Sequence, residues 1–322
     1  MGDDMTTLPA WTEQLTKPRG GQDHLGVGSV VTDQMLPALA PGINVLTPHP
    51  RYWAFYAMVV DQLWKDSPRG ATRKRLLEYM TRKEAIFSAA GHICPHPEHR
   101  TSQDPIGSQR MRSQLRKNEP TFSSNFQFVK SLGGGYQLYY GTVMQTMGVI
   151  QGADPDLNLP IDAVTPDRGK DLADSFRDAI AGTSYWKRYW DADEVPRDVV
   201  EEYASVACLC QLKTHAPDRV LIADTFLHGH AGPAHDGEAE ARRTTLRMML
   251  EIAHQTRKHP ITQPDFRRLM IYRSTYSSET GKTTARISMP DELISVRRRW
   301  RLSQLREMFN YSLNGMWALI TD

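Results

Sequence analysis

The sequence predicts a mainly α-helical protein, a multi-helix bundle with one inserted module that supplies a small β-hairpin. Three observations carry that expectation. Tyr52, Trp53, Phe55, Tyr56, Met58, Val59, Val60, Leu63 and Trp64 cover nearly every side of one helix, and a helix apolar all round packs against several neighbours. Later segments repeat apolar residues at three- and four-residue spacing, the period of a helix with one buried face. The clearest hairpin signal is the turn cluster ADPDLNLP between the apolar stretches GVIQ and IDAV.

Taken in order, residues 1–24 are rich in Gly, Asp, Thr and Lys and read as a loose arm. Residues 25–104 are expected to form an N-terminal helical unit. Its first helix covers Val30 to Leu39 and stops at Pro41-Gly42. Thr47 as N-cap with Pro48 at the first helical position predicts the start of the aromatic helix. Arg51, Tyr52, Trp53, Tyr56 and Trp64 are expected as structural core. A buried Arg51 needs a carboxylate or carbonyl partner, and Asp33 and Asp61 are the nearest candidates. Ala71 to Ala90 is amphipathic, with Leu76, Leu77, Met80, Ile86 and Phe87 inside and Arg73, Lys74, Arg75, Arg82 and Lys83 outside. The turn-rich stretch 91–108 closes this unit.

Residues 105–182 form the inserted module. A polar helix near Gln109 to Lys117 and the stretch Phe126 to Leu132 lead to the turn Gly133-Gly134-Gly135, and Tyr136 to Met147 and the hairpin follow. Thr165-Pro166-Asp167 then starts a helix with Leu172, Phe176 and Ile180 on one face. Residues 183–322 are expected to be a C-terminal helical unit. Its apolar stripes are Val199, Val200, Tyr203, Val206 and Cys210; then Leu246, Met249, Leu250 and Ala253; then Val296, Trp300, Leu305, Phe309, Leu313, Met316 and Trp317.

Composition narrows the class. The 322 residues are 40% hydrophobic and 24% charged, which places the chain among folded globular proteins. The longest uncharged apolar run, Tyr52 to Val60, ends at Asp61, well short of the ~18–20 residues that cross a bilayer. The start, MGDDMTTLPAW, is acidic and polar where a signal peptide is basic and then apolar. Three cysteines, Cys94, Cys208 and Cys210, make no disulfide framework. The expectation is a cytoplasmic protein without membrane association. No G-x-S-x-G or H-E-x-x-H occurs, and Gly281-Lys282-Thr283 lacks the earlier glycine of a phosphate-binding loop.

A net charge of +2 conceals an uneven distribution. Eleven Lys/Arg stand against four Asp/Glu from Arg69 to Lys117, and fourteen against five from Ala241 to Arg301, whereas Gln151 to Ser205 carries thirteen acids and six bases. Basic fields of this kind attract polyanions. The run Arg297-Arg298-Arg299-Trp300-Arg301 is the leading nucleic-acid candidate, with Arg242, Arg243, Arg247, Arg267 and Arg268 as companions. Trp300 aligns with the apolar stripe and reads as core. Arg242 and Arg243 lie near a helix start, where a cation calls for an acid or phosphate partner.

Two clusters carry metal-ligating side chains. His92, Cys94, His96 and His99 fall within eight residues, in a spacing that matches no standard zinc finger. His228, His230, His235 and Asp236 contain the H-x-H element of metallohydrolases, with Asp224 as a further acid, yet Ala231 and Gly232 stand where such enzymes place Asp and His. Zinc is the candidate ion at both, although the leading reading needs no cofactor. Cys208 and Cys210, beside His215, lie two apart on an expected helix and point away from each other.

The run of helices, hairpin and capped helix containing VTPDRGKDLADSF resembles bacterial winged-helix domains across Gln109 to Ile180. The segment that would enter a DNA groove, Tyr136 to Met147, carries no charge, so the resemblance implies a protein-docking module more than a DNA reader. Leu25-Gly26 through Pro41-Gly42, Thr47 and Arg51-Tyr52 resemble a poorly characterised group of bacterial proteins with an LG…PG…T…RY start, associated with multi-gene phage-defence loci. That resemblance implies no catalytic residues. The expected function is a non-catalytic interaction subunit with other protein subunits as partners and nucleic-acid contact through its arginines. A metal-dependent hydrolase using the His228 cluster and a zinc-stapled DNA-binding regulator using the His92 cluster remain alternatives.

Overall fold

A computed structural model describes residues 30–67, 71–97, 104–117, 119–213, 216–257, 261–276 and 282–321. The expected arm 1–24, the Leu25-Gly26 start of the bacterial motif, His99 and His215 lie outside the described residues. Of the described residues, 66% are helical and 7% are in strands, which agrees with a mainly helical class. The chain forms two compact units: Ala40–Arg243, and Met1–Leu39 together with Thr244–Asp322. The expected breaks at 104/105 and 182/183 fall inside the first of these.

The Ala40–Arg243 unit is organised by α2 (Arg51–Asp66), which follows the short α1 (Leu36–Leu39) of the other unit. Every residue from Arg51 to Asp61 of α2 is buried. Its neighbours include α3 (Arg73–Ile93), α6 (Arg168–Ile180) and α8 (Arg219–His228). Aromatic contacts fill the space between them. Phe55 stacks on Phe87 at 4.2 Å, Tyr52 meets Tyr140 at 4.9 Å, and Phe55 meets Phe176 edge-on at 5.8 Å, within the ring separations that favour such pairs. Between α3 and α6 the chain forms α4 (Ser108–Leu115) and α5 (Gly141–Thr146), the latter extending a π-helical turn, Tyr136–Tyr140. After α6 comes α7 (Arg197–Ala207). Strand β1 (Thr121–Ser123) pairs antiparallel with β4 (Glu194–Pro196). Between them in sequence, β2 (Ile150–Gln151) and β3 (Ala163–Val164) form the expected hairpin, with Ile150 opposite Val164.

Several local expectations are corrected. Helix α2 starts at Arg51 with Pro50 as its N-cap, and the Thr47 hydroxyl instead bonds back to Asn44. His49 precedes a proline, which disfavours the helical region there and delays the start. Trp64 is only half-buried and donates its ring N–H to the Asp162 carbonyl. Phe126 to Leu132 is irregular. Lys83, expected outside, is buried: its ammonium bonds Asp191 at 2.7 Å and lies over the Tyr79 and Trp190 rings at 4.6 and 4.4 Å. Burial pulls its pKa down to about 8.

Arg51 is fully buried and partnered as its chemistry demands, but by Asp218 and the Cys208 carbonyl. Asp33 is exposed. Asp61 takes Lys65, Lys170 and Arg177 instead, and although burial opposes ionisation, these cations hold its carboxyl below the ordinary range.

The triple glycine has a specific task. Glu84, fully buried on α3, accepts hydrogen bonds from Tyr56 Oη at 2.7 Å and from the Gly135 amide at 3.0 and 3.1 Å. A Cβ on Gly134, whose φ is +59°, would stand 2.2 Å from the carboxylate, and one on Gly135 would stand 2.6 Å from it. Only glycine lets this backbone approach the acid.

The second unit holds a π-helical turn, Val30–Met35, leading into α1, part of α9 (Asp236–Gln255), then α10 (Gln263–Tyr272), the pair β5 (Ser274–Tyr276) and β6 (Thr283–Arg286), and α11 (Asp291–Thr321). Its core includes Val31, Leu39, Met248, Ile252, Leu269, Leu293, Val296 and Trp300. On α9 the buried face runs Arg242, Thr245, Met248 and Ile252, while Leu250 and Ala253, expected inside, are exposed. The stripe is offset because it includes a charged residue, Arg242, after the buried Ala239.

Burial raises the Glu84 pKa to about 8. Between the ordinary carboxylate range and pH 8 the folded chain therefore keeps a proton that the unfolded chain has lost. Stability contributed by this group falls as pH rises through that window, by at most about 1.4 kcal/mol per pH unit. Urea unfolding of Glu84→Gln from about pH 5 to 8 should give a flatter stability profile than the parent; equal slopes would rule out a buried neutral acid.

Candidate functional site

The strongest constellation is one that sequence spacing argued against. Cys94, Cys208 and Cys210 bring their sulfur atoms within 4.8 Å of one another, and Cys94 and Cys210 approach to 3.6 Å. The expectation that Cys208 and Cys210 diverge assumed one continuous helix. Helix α7 ends at Ala207; Cys208 is its C-cap, with ψ of 145°, and Cys210 belongs to a separate 3₁₀ turn, Leu209–Lys213. That break turns two residues of opposite faces toward one point. Cys94 is the C-cap of α3, also with an extended ψ of 125°. The packing of α3 against α7 therefore brings two helix C-termini together.

The surroundings are dry and charged. Cys208 and Cys210 are each 1% exposed and Cys94 is half-buried. Arg51 donates through Nη1 to the Cys208 carbonyl and through Nε to Asp218 at 3.1 Å. His96 Nε2 lies 3.0 Å from the Ser205 carbonyl, which fastens the segment after Cys94 to the last turn of α7. The Cys208 thiol is pushed up by its hydrogen bond with Cys94 and by burial, and Cys210 is pushed up by burial and by Cys94. As isolated groups these are protonated thiols; a metal ion would displace their protons.

The other expected ligands are placed differently. His228 Nδ1 pairs with Asp224 at 2.9 Å, His230 bonds the Gly232 carbonyl and Asp236, and His235 pairs with Glu238. Among the described residues no three of His228, His230, His235 and Asp236 bring ligand atoms within 4.8 Å of one another, and His92, Cys94 and His96 do not do so either.

The arginines divide into two groups. Arg242 is fully buried and donates to the carbonyls of Phe226, Pro41 and Gly229, while Arg243 bonds the Leu227 carbonyl and Glu240. The Phe226, Leu227 and Gly229 carbonyls lie at the C-terminus of α8, where the helix leaves acceptors unsatisfied and its dipole favours cations. Burial draws Arg242 down to about 10, so it stays charged near neutrality. Arg297 likewise donates to the Ile271 carbonyl at the end of α10. Arg247 pairs with Glu292, Arg267 with Glu307 and Arg268 with Asp265. Arg298, Arg299 and Arg301 face solvent.

A second outward feature occupies the same helix. Leu293, Val296, Trp300 and Ser303 bury one stripe of α11. Beyond Ser303 the expected core positions Leu305, Phe309, Met316 and Trp317 are exposed, and so are Leu319 at 82% and Ile320 at 74%. Across 302–321 the only charged residues are Arg306 and Glu307. Among the described residues, no helix is long and apolar enough to cross a membrane.

Asp218→Ala should cost roughly 3–5 kcal/mol in urea unfolding, because it leaves the Arg51 guanidinium buried without its counter-charge. The pair Arg51→Met and Asp218→Leu should recover most of that loss. Equal destabilisation by the single and double variants would show that the ion pair itself is not what the site requires. Comparisons with protein-family models, with curated proteins and with solved structures find no match to this chain.

Proposed function

We propose that this chain is a non-catalytic interaction subunit of a multi-component bacterial assembly, of the phage-defence kind that the N-terminal motif suggests. It docks through the distal part of α11. The observation that carries this reading is the exposure of Leu302, Leu305, Phe309, Met316, Leu319 and Ile320 on that one helix. Together with Met308 and Tyr311 they span about 180° of the helix circumference at 3.6 residues per turn. A two-helix seam covers a narrower stripe, and an apolar arc this broad calls for a groove. The occupant is therefore an apolar groove of a different protein subunit, receiving α11 as an inserted helix. An interfacial membrane helix would carry a basic polar face; one arginine between 302 and 321 does not make one.

Arg298, Arg299 and Arg301 supply a secondary contact with nucleic acid. Arg242, Arg243 and Arg297 are excluded from that role because they serve helix ends. The order of elements from Gln109 to Ile180 is read as winged-helix-like, with Tyr136, Tyr140, Met144 and Met147 buried. Its hairpin is acidic, with Asp154, Asp156 and Asp162 and no base between Ile150 and Val164, which suits protein contact more than phosphate.

A photo-crosslinking residue placed at Phe309 or at Ile320 should capture one and the same partner subunit, and Leu305→Glu with Met316→Glu should abolish binding to that purified partner while circular dichroism is preserved. Crosslinks only between copies of this chain would overturn the hetero-subunit reading. For nucleic acid, Arg298→Glu with Arg299→Glu should weaken binding and reduce the slope of log K against log salt by about 2. An unchanged slope removes that contact.

A further inference from the structure

We propose that Cys94, Cys208 and Cys210 bind one thiophilic closed-shell metal ion, Zn2+ or Cu+, which staples the C-termini of α3 and α7. All three cysteines of the chain meet at this point, although Cys94 and Cys210 are separated by 116 positions. Chance burial of small apolar residues would scatter them through the core. A tetrahedral ion with metal–sulfur bonds of about 2.3 Å sets its sulfur atoms about 3.8 Å apart; the observed 3.6 Å for Cys94 and Cys210 lies close to that separation. A disulfide needs about 2.05 Å, so this pair stands at ligand spacing and not at bonding distance, with Cys208 within 4.8 Å of both. Soft thiolate ligands select Zn2+ and Cu+ over harder ions.

The supporting structure suits a preformed site. Two ligands occupy helix C-caps and the third a 3₁₀ turn, so none depends on a long loop. His96 and Arg51 fix the two cysteine-bearing backbones from outside the cluster through the Ser205 and Cys208 carbonyls, the role that outer-shell hydrogen bonds play around metals. Cys94 is half-buried, the side from which an ion would reach the cluster; Zn2+ would take a fourth, external ligand there, whereas Cu+ accepts three thiolates alone. Binding replaces three S–H bonds with three metal–sulfur bonds, releases three protons to solvent and transfers no electrons. This inference is independent of how α11 docks.

The test uses the full chain, reduced and freed of metal, titrated with Co2+, Zn2+ and Cu+. Co2+ should produce sulfur-to-metal charge-transfer absorption that saturates at one equivalent. Zn2+ should bleach it, and one equivalent of Zn2+ or Cu+ should slow the reaction of all three thiols with a thiol reagent at least tenfold. Competition between the two ions, each buffered by its own chelator, identifies the preferred one. Cys210→Ser and Cys94→Ser should each weaken Co2+ binding at least tenfold. Thiol protection in the parent chain is read without any variant, so the proposal remains testable if a serine variant misfolds. Cobalt spectra without sulfur charge transfer, thiol reactivity indifferent to metal, or a Cys94–Cys210 disulfide formed in the presence of Zn2+ would each overturn it.

Discussion

A helix that is apolar on every side has one stable solution in water: it must be enclosed. Helix α2 imposes that condition on the Ala40–Arg243 unit. Residues Tyr52 to Val60 present aromatic and aliphatic groups in all directions, and all but Trp53 are fully buried. Each of α3, α6 and α8 supplies part of the enclosure, and the π-helical turn at Tyr136 completes another side. The condition extends to polar groups carried along with the helix. Arg51 and Asp61 sit at positions that the enclosure buries, so each must find opposite charge inside. Glu84 faces the same enclosure from α3 and meets it by remaining protonated and by accepting from Tyr56 and Gly135.

The same economy governs the buried cations. Arg51 donates to the C-cap carbonyl of α7, Arg242 to carbonyls at the end of α8, Arg297 to one at the end of α10, and Lys83 to the Trp190 carbonyl that follows the π-helical turn Tyr185–Tyr189. Helix C-termini leave acceptors without amide partners and concentrate negative partial charge. A guanidinium, with five donors in a fixed fork, can satisfy several such acceptors at once. Part of the basic excess that suggests a polyanion partner is therefore internal hardware. A count of arginines along a chain cannot separate those facing water from those closing helices.

Periodicity made the helices legible, and α2, α3, α6 and the β2–β3 hairpin lie where the pattern of apolar residues and turns puts them. What the pattern could not supply was partner identity. The need of Arg51 for a carboxylate follows from its position, but Asp218 is 167 residues away and no local rule selects it. A lysine on a helix is ordinarily solvated, and Asp191, Tyr79 and Trp190, gathered by the fold, make the burial of Lys83 tolerable. The stripe on α9 was offset because Arg242 belongs to it, and hydrophobic spacing does not count a buried arginine. The cysteine cluster is invisible to helical spacing because α7 ends at Ala207 and Cys210 lies in a separate 3₁₀ turn. A legible signal did exist: three cysteines and no more, in a chain otherwise sparing of them.

Helix α11 shows why one stripe of apolar residues can mean two things. Up to Ser303 the apolar positions recur on one face and are buried within their own unit. Beyond it the residues remain apolar while the charge that accompanies a solvated surface nearly disappears. A helix segment is stabilised mainly by packing its apolar face, because isolated helices are marginal in water. Asn310, Asn314 and Gly315 add little intrinsic helix propensity to compensate. Among the described residues, the distal part of α11 thus combines the composition of a core element with an exposed surface. The arginines at 298, 299 and 301 lie on the solvent side of the anchored part, which runs through Trp300 and Ser303.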